Sequence, residues 1–223
     1  NFVGEKKGKI FKSAPEFTNN KFFDECKINY AENCLTRDDD DDAIIFHSEK
    51  KIKRNYSWRE LKSAVLKFAN YLKNNNIEKN DRIAAILPNI PETVISFLSS
   101  AQLGAIWSSC SSDFGKKAII DRFKQIEPKV LLFSDYYFYN NKKVDTTKII
   151  KDVVYNIPSI EKIILIPYEF NEKDYQLDFE YDNLCKILQQ EIAYSKFEKF
   201  NFNHPLYILY SSGTTGVPKC IVH

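Results

Sequence analysis

The chain has 223 residues, 43% hydrophobic and 28% charged, and Lys+Arg 32 against Asp+Glu 30 leave a formal charge of +2. That length fits one large domain or two small ones, and 17 Phe with 13 Tyr supply apolar surface for a core, which excludes global disorder. The balanced charge calls for neither nucleic acid nor an anionic membrane as partner, and no apolar run approaches the roughly 20 residues of a membrane span, so a soluble, cytoplasmic protein is expected.

The chain contains no Met, opens on Asn1 and stops just after the apolar run Cys220-Ile221-Val222. A domain rarely ends on an unfinished strand, which predicts a piece of a longer protein or the product of a broken reading frame. The cysteines Cys26, Cys34, Cys110, Cys185 and Cys220 are odd in number and widely spaced, with no CxxC pair, and read as reduced thiols. His47, His204 and His223 show no ligand spacing, so no metal site is expected.

In chain order, the Lys-rich, aperiodic residues 1–20 read as a loose lead-in. The acidic run Asp38 to Asp42 lacks the alternation, Gly and distant Glu of a calcium loop and reads as a solvated turn. Lys50, Lys51, Lys53 and Arg54, between a strand at Ile44–His47 and a helix start, predict a charged hairpin tip. Ser57 and Glu60 form a capping box, with Tyr56 and Leu61 at the flanking staple positions. Leu61, Val65, Phe68 and Leu72 then recur at helical spacing until the run Asn74-Asn75-Asn76.

A strand–helix unit repeats beyond this point. Ile83 to Leu87 is a short continuous apolar run, as a buried parallel strand should be. After Pro88 and Pro91 a helix places Val94, Phe97, Leu98 and Ala101 on one face and stops at Gly104. Ala105–Trp107 reads as strand, a helix with Ile119, Phe123 and Ile126 inward ends before Pro128, and Val130–Phe133 is strand again. Ile149–Val154 reads as helix and Ile163–Ile166 as strand; Tyr168 to Asn203 is the least regular stretch, with a short helix at Leu184, Ile187 and Leu188 before a strand at Tyr207–Tyr210. Strands alternating with helices of this length predict an α/β fold with a parallel sheet flanked by helices.

The segment Tyr210-Ser211-Ser212-Gly213-Thr214-Thr215-Gly216-Val217-Pro218-Lys219 carries the chemistry. Of six glycines in the chain, none lies between Gly115 and Gly213, and then two fall within four residues. Glycines let successive backbone N–H groups converge on an anion, hydroxyls add short donors, and Lys219 adds a cation. A flexible linker of the same composition is disfavoured, because apolar strands adjoin the segment on both sides and Pro218 stiffens it. The Walker A spacing is absent.

These ten residues resemble the phosphate-binding signature of the adenylate-forming superfamily, which includes acyl-CoA synthetases, luciferases and peptide-synthetase adenylation domains. Lys27-Ile28-Asn29-Tyr30-Ala31-Glu32-Asn33 resembles an element of its acetyl- and acetoacetyl-CoA synthetase branch. Leu87-Pro88-Asn89-Ile90-Pro91-Glu92-Thr93 and the run Gly104 to Gly115 resemble the acetoacetyl-CoA synthetases in particular, and Asp121-Arg122-Phe123, Gln125 to Lys129 and His204 to Tyr210 extend the similarity. Ser112 stands where that family usually has Pro. The resemblance covers the chain from about Phe22.

The resemblance implies an ATP-dependent acid–thiol ligase with Mg2+, ATP, CoA and a short keto acid as its small-molecule partners, forming an acyl-adenylate and then a thioester. Carried over by motif position, Ser211, Ser212, Gly213, Thr214, Thr215 and Gly216 would wrap the β- and γ-phosphates and Lys219 would add charge. It also implies a partition into a lead-in with an N-terminal element at 1–55 and a partial AMP-binding domain at 56–223. The family's aromatic-Gly-x-Thr-Glu loop, ribose-binding Asp, hinge and catalytic Lys follow the phosphate loop and do not occur in these residues. No catalytic residue is therefore assigned, and the chain alone is expected not to complete adenylation. Another short acid, such as acetate, and a non-catalytic remnant of such an enzyme stay open beside acetoacetate. Trp107 reads as core, and Arg122 and Glu127 as candidates for structural pairs.

Overall fold

The computed structural model describes residues 2–191, 196–211 and 216–223. The lead-in holds four two-residue strands, β1 (Gly4–Glu5), β2 (Phe11–Lys12), β3 (Lys21–Phe22) and β4 (Lys27–Ile28), before the short helix α1 (Tyr30–Cys34). A hairpin of β5 (Asp42–His47) and β6 (Lys53–Ser57) leads into α2 (Trp58–Asn74). The capping box is formed: the Ser57 hydroxyl accepts the Glu60 N–H at 3.2 Å and the Glu60 carboxylate accepts the Ser57 N–H at 2.8 Å. Leu61, Val65, Phe68 and Leu72 are all buried, as the 4-3-4 spacing requires. The acidic run beside this helix is exposed and pairs with Arg37, Arg59 and Lys62.

The remaining elements are β7 (Arg82–Ile86), α3 (Pro91–Leu103), β8 (Ile106–Cys110), α4 (Lys116–Phe123), β9 (Val130–Ser134), β10 (Tyr136–Tyr139), β11 (Lys142–Asp145), α5 (Thr147–Asn156), β12 (Lys162–Ile166), β13 (Asp182–Asn183), α6 (Leu184–Ile187), β14 (Phe200–Asn201), β15 (Ile208–Tyr210) and β16 (Cys220–Val222). The main sheet has the order β13-β12-β9-β7-β8, and all four pairings are parallel. This is the expected α/β architecture. Because side chains alternate across a strand, Ile83, Ala85, Val130, Leu132, Ile164 and Ile166 face one side with Phe68 and Leu72 of α2 and Leu184 and Ile187 of α6. Ala84, Ile86, Leu131, Phe133, Ile163 and Leu165 face the other with Ile119 and Phe123 of α4 and Ile150 and Val153 of α5.

Three readings need correction. Val94 is 38% exposed while Ile95 is fully buried. Leu98 and Ala101 of the expected face are buried and Phe97 packs against the core, but helix α3 also packs into a third cluster with α1 and α2 through Ile95, so it is buried almost all round and a single apolar stripe leaves out part of its buried surface. Strand β8 runs on through Ser108 and Ser109 to Cys110, because its ladder to β7 continues there, with the Ser108 side chain buried and the Ser109 side chain exposed at the edge of the sheet. Lys50 and Lys51 do sit at the tip of the first hairpin, but Arg54 turns inward and pairs with the buried Glu92.

Gly104 ends α3 with φ +70°, and a Cβ there would lie 2.7 Å from the Phe200 ring. Backbone conformation and packing both demand glycine at this position.

Candidate functional site

The strands on either side of the glycine- and hydroxyl-rich segment, β15 and β16, form a hairpin attached to the edge of the main sheet. Strand β15 approaches β8 in the parallel sense, through a bridge between Trp107 and Tyr207 and a Trp107 N–H bond to the Leu206 carbonyl at 3.1 Å. The buried Ser108 hydroxyl donates to the Ile208 carbonyl at 3.0 Å. Because β15 runs with β8, the loop that follows it emerges at the carboxyl edge of the parallel strands. Open α/β sheets bind ligands at that edge.

Strand β16 returns antiparallel, with Ile208, Leu209 and Tyr210 opposite Val222, Ile221 and Cys220. The Ser211 N–H bonds the Lys219 carbonyl at 3.0 Å and carries the ladder one step toward the tip. Two of the residues expected to touch phosphate, Ser211 and Lys219, thus face each other across the stem. Lys219 is exposed. Gly216 is also exposed, has φ +154°, and has open space where a Cβ would stand. Ser212, Gly213, Thr214 and Thr215 lie outside the described residues.

Beneath the loop, the Tyr210 phenol lies 3.2 Å from the Ser108 hydroxyl and donates to the Arg122 carbonyl at 3.3 Å. Burial holds this phenol well above its ordinary pKa, so it remains a proton donor. Arg122 does not pair with Glu127: its guanidinium covers the Phe114 ring at 4.8 Å and the Tyr210 ring at 5.8 Å, and Glu127 offers its backbone carbonyl to Arg82 at 2.9 Å. Trp107 belongs to the core, at 6% exposure.

Two polar centres escape sequence reading because their partners are far apart in the chain. The buried Asp135 carboxylate, at the carboxyl end of β9, accepts the N–H groups of Tyr136 and Tyr168 at 3.0 and 2.8 Å and the Tyr175 phenol. Its acceptor positions are filled by its own chain, so it pins loops together. The fully buried Glu92 carboxylate receives two bonds from Arg54, at 2.5 and 3.0 Å, and one from the Tyr56 phenol at 2.9 Å. The local signal for it is Glu92 itself, an acidic residue in the first turn of a helix that is otherwise without charge. All five cysteines are free, and burial pushes the Cys110 thiol up to about 12.

Residues 31–223 match the family described as AMP-binding enzyme. The chain is 38% identical over 223 residues to the acetoacetyl-coenzyme A synthetase of Rhizobium meliloti (strain 1021), an alignment covering 99% of this chain and 34% of that protein. It is 37% identical over 215 residues to the acetoacetyl-CoA synthetase of Xenopus tropicalis, covering 91% and 32%. The solved structure of acetoacetyl-CoA synthetase from Streptomyces lividans superposes with a TM-score of 0.88 at 32% identity, over 100% of this chain and 34% of that one. The chain thus spans about a third of the length of the relatives it matches.

Proposed function

This chain belongs to the AMP-binding enzyme family, and on that premise we propose that it is the N-terminal part of a ligase converting acetoacetate, ATP and CoA to acetoacetyl-CoA, AMP and pyrophosphate. An acetoacetate carboxylate oxygen attacks the α-phosphorus of ATP, and the bond to the β-phosphate oxygen breaks to release pyrophosphate. The CoA sulfur then attacks the acyl carbon of the adenylate, and AMP leaves. Ser211, Ser212, Gly213, Thr214, Thr215 and Gly216 are the proposed donors to the β- and γ-phosphates. Lys219 is the proposed cation beside them, stabilising the charge that builds on the leaving pyrophosphate. Mg2+ would enter on the nucleotide's phosphates. Residues 1–55 act as lead-in and 56–223 as part of the AMP-binding domain, and the reaction is cytoplasmic and serves ketone-body metabolism.

One observation supports this reading: Ser211 and the exposed Lys219, which flank the glycine- and hydroxyl-rich residues in sequence, follow a strand that runs parallel to β8, toward the edge at which open α/β sheets bind ligands. The test is acid-dependent exchange of labelled pyrophosphate into ATP by the full-length protein. Exchange with acetoacetate exceeding that with acetate and other short acids is expected, and Lys219→Ala should slow it by about 100-fold, the loss typical of one preorganised charge-stabilising group. Faster exchange with acetate would move the assignment to that acid, and no exchange with any acid would end the reading.

A further inference from the structure

We infer that Gln125 and Tyr210 are positioning residues that clamp the two stems of the phosphate hairpin onto the α4 segment and so set where the loop presents its donors to ATP. The inference rests on the reading of residues 211–219 as the phosphate loop, and it names the device that holds that loop in place.

The need for a clamp follows from the hairpin's construction. Cys220, Ile221 and Val222 are all exposed, so burial does not hold the return stem. A two-stranded ribbon held by its own ladder is marginal in water. Gln125 lies just beyond the last turn of α4 and supplies what burial does not. Its amide Nε2 donates to the Pro218 carbonyl at 2.9 Å and to the Asp121 carbonyl at 2.7 Å, and the Cys220 thiol donates to its Oε1 at 3.6 Å. One side chain, oriented by its own helix through Asp121, therefore grips the residue before Lys219 and the residue after it.

The outgoing stem is held by the same segment from the other side. Tyr210 reaches the Arg122 carbonyl, and the Arg122 guanidinium lies over the Tyr210 ring. Both stems are thus tied to residues 121–125, so the described residues that flank the loop, Ser211 and Lys219, are held relative to α4. Donors that stabilise charge on phosphate act only when held to within about 0.5 Å of their productive geometry, and a hairpin free to swing on its β8 attachment would lose that.

The test compares Gln125→Ala and Tyr210→Phe with the unaltered protein by two readouts. In hydrogen exchange of the 223-residue chain, Gln125→Ala should speed the backbone amides of 219–222, and Tyr210→Phe those of 207–211, by about 2- to 10-fold, the range expected for losing one neutral hydrogen bond. The amides of Ile83–Ile86 serve as the folding control and should not change. In pyrophosphate exchange by the full-length protein, each variant should raise the KM for Mg·ATP by about 2- to 10-fold and alter kcat less. Unchanged exchange in both stems would overturn the clamp. Loosened stems with an unchanged KM would overturn the positioning role. If the unaltered full-length protein catalyses no exchange with any short acid, the functional reading fails on its own, and the stem amides still decide the clamp.

Discussion

Arg54 shows what one side chain can hold together. It leaves the β5–β6 hairpin, makes a two-pronged contact with Glu92 at the start of α3, donates to the Tyr168 carbonyl at 3.3 Å, and covers the rings of Phe46 and Phe170. Glu92 is fully buried, and burial raises its carboxyl above the ordinary value against the opposing pull of Arg54. Removing the arginine strands that carboxyl, so Arg54→Ala should cost about 3–5 kcal/mol in urea unfolding. The double variant with Glu92→Ala should lose less than the two single losses added together. A loss below about 1 kcal/mol for Arg54→Ala would mean the pair is not buried in solution, since exposed pairs are worth no more than that.

His204 sets a pH dependence. Its Nε2 bonds the Gly104 carbonyl at 2.8 Å and its ring stacks on Phe200. Burial depresses its pKa below 6.5, reinforced by the nearby Lys79 and opposed by the Gly104 bond. The unfolded chain therefore binds more protons than the folded one across that window, so stability rises with pH. The contribution is fully present above about 6.5, the unfolded value, and is lost as the pH falls through the folded pKa. Urea midpoints at pH 5 and pH 7.5 should differ more in the unaltered protein than in His204→Gln, and equal differences would refute this assignment.

Legibility at the level of elements follows how local the determinants are. Helix α2 was readable end to end because its cap, its staple and its stripe all lie within the segment itself. Ser57→Ala removes the cap acceptor and should cost about 1 kcal/mol by urea denaturation; a change of less than about 0.3 kcal/mol would place the start of the helix elsewhere. The hairpin β10–β11 went unread although a signal was present: Asn140 and Asn141 form its two-residue tip, both at positive φ, the conformation asparagine tolerates in such turns. Strand β13, only Asp182 and Asn183, carries no apolar run and exists because β12 offers it an open edge. The stems of the β15–β16 hairpin were legible as apolar runs. Their clamp was not, because Gln125 and Pro218 stand 93 positions apart.

For the molecule as a whole, the order β13-β12-β9-β7-β8 reverses between β7 and β9 and leaves β8 as the edge that receives the β15–β16 hairpin. Alternating helices and strands implied a parallel sheet, but not which strand would form that edge. The two apolar layers close over the sheet largely without the hairpin: among its described residues Ile208 alone is buried in the core, with Leu206, Tyr207 and Tyr210 packed part-buried against the clusters. The sheet and the loop it presents are thus nearly separable in energy. Removing residues 206–223 should leave cooperative unfolding intact and lower stability chiefly by the burial of Ile208, about 1.5–3 kcal/mol, with smaller terms from Leu206 and the two tyrosines. Circular dichroism of the shortened chain during urea unfolding gives the answer. A single sharp transition at a lower midpoint is the expected result. A broad, non-cooperative loss of signal would mean that the edge strand needs its neighbour to fold, and that the hairpin belongs to the folding unit it was thought only to decorate.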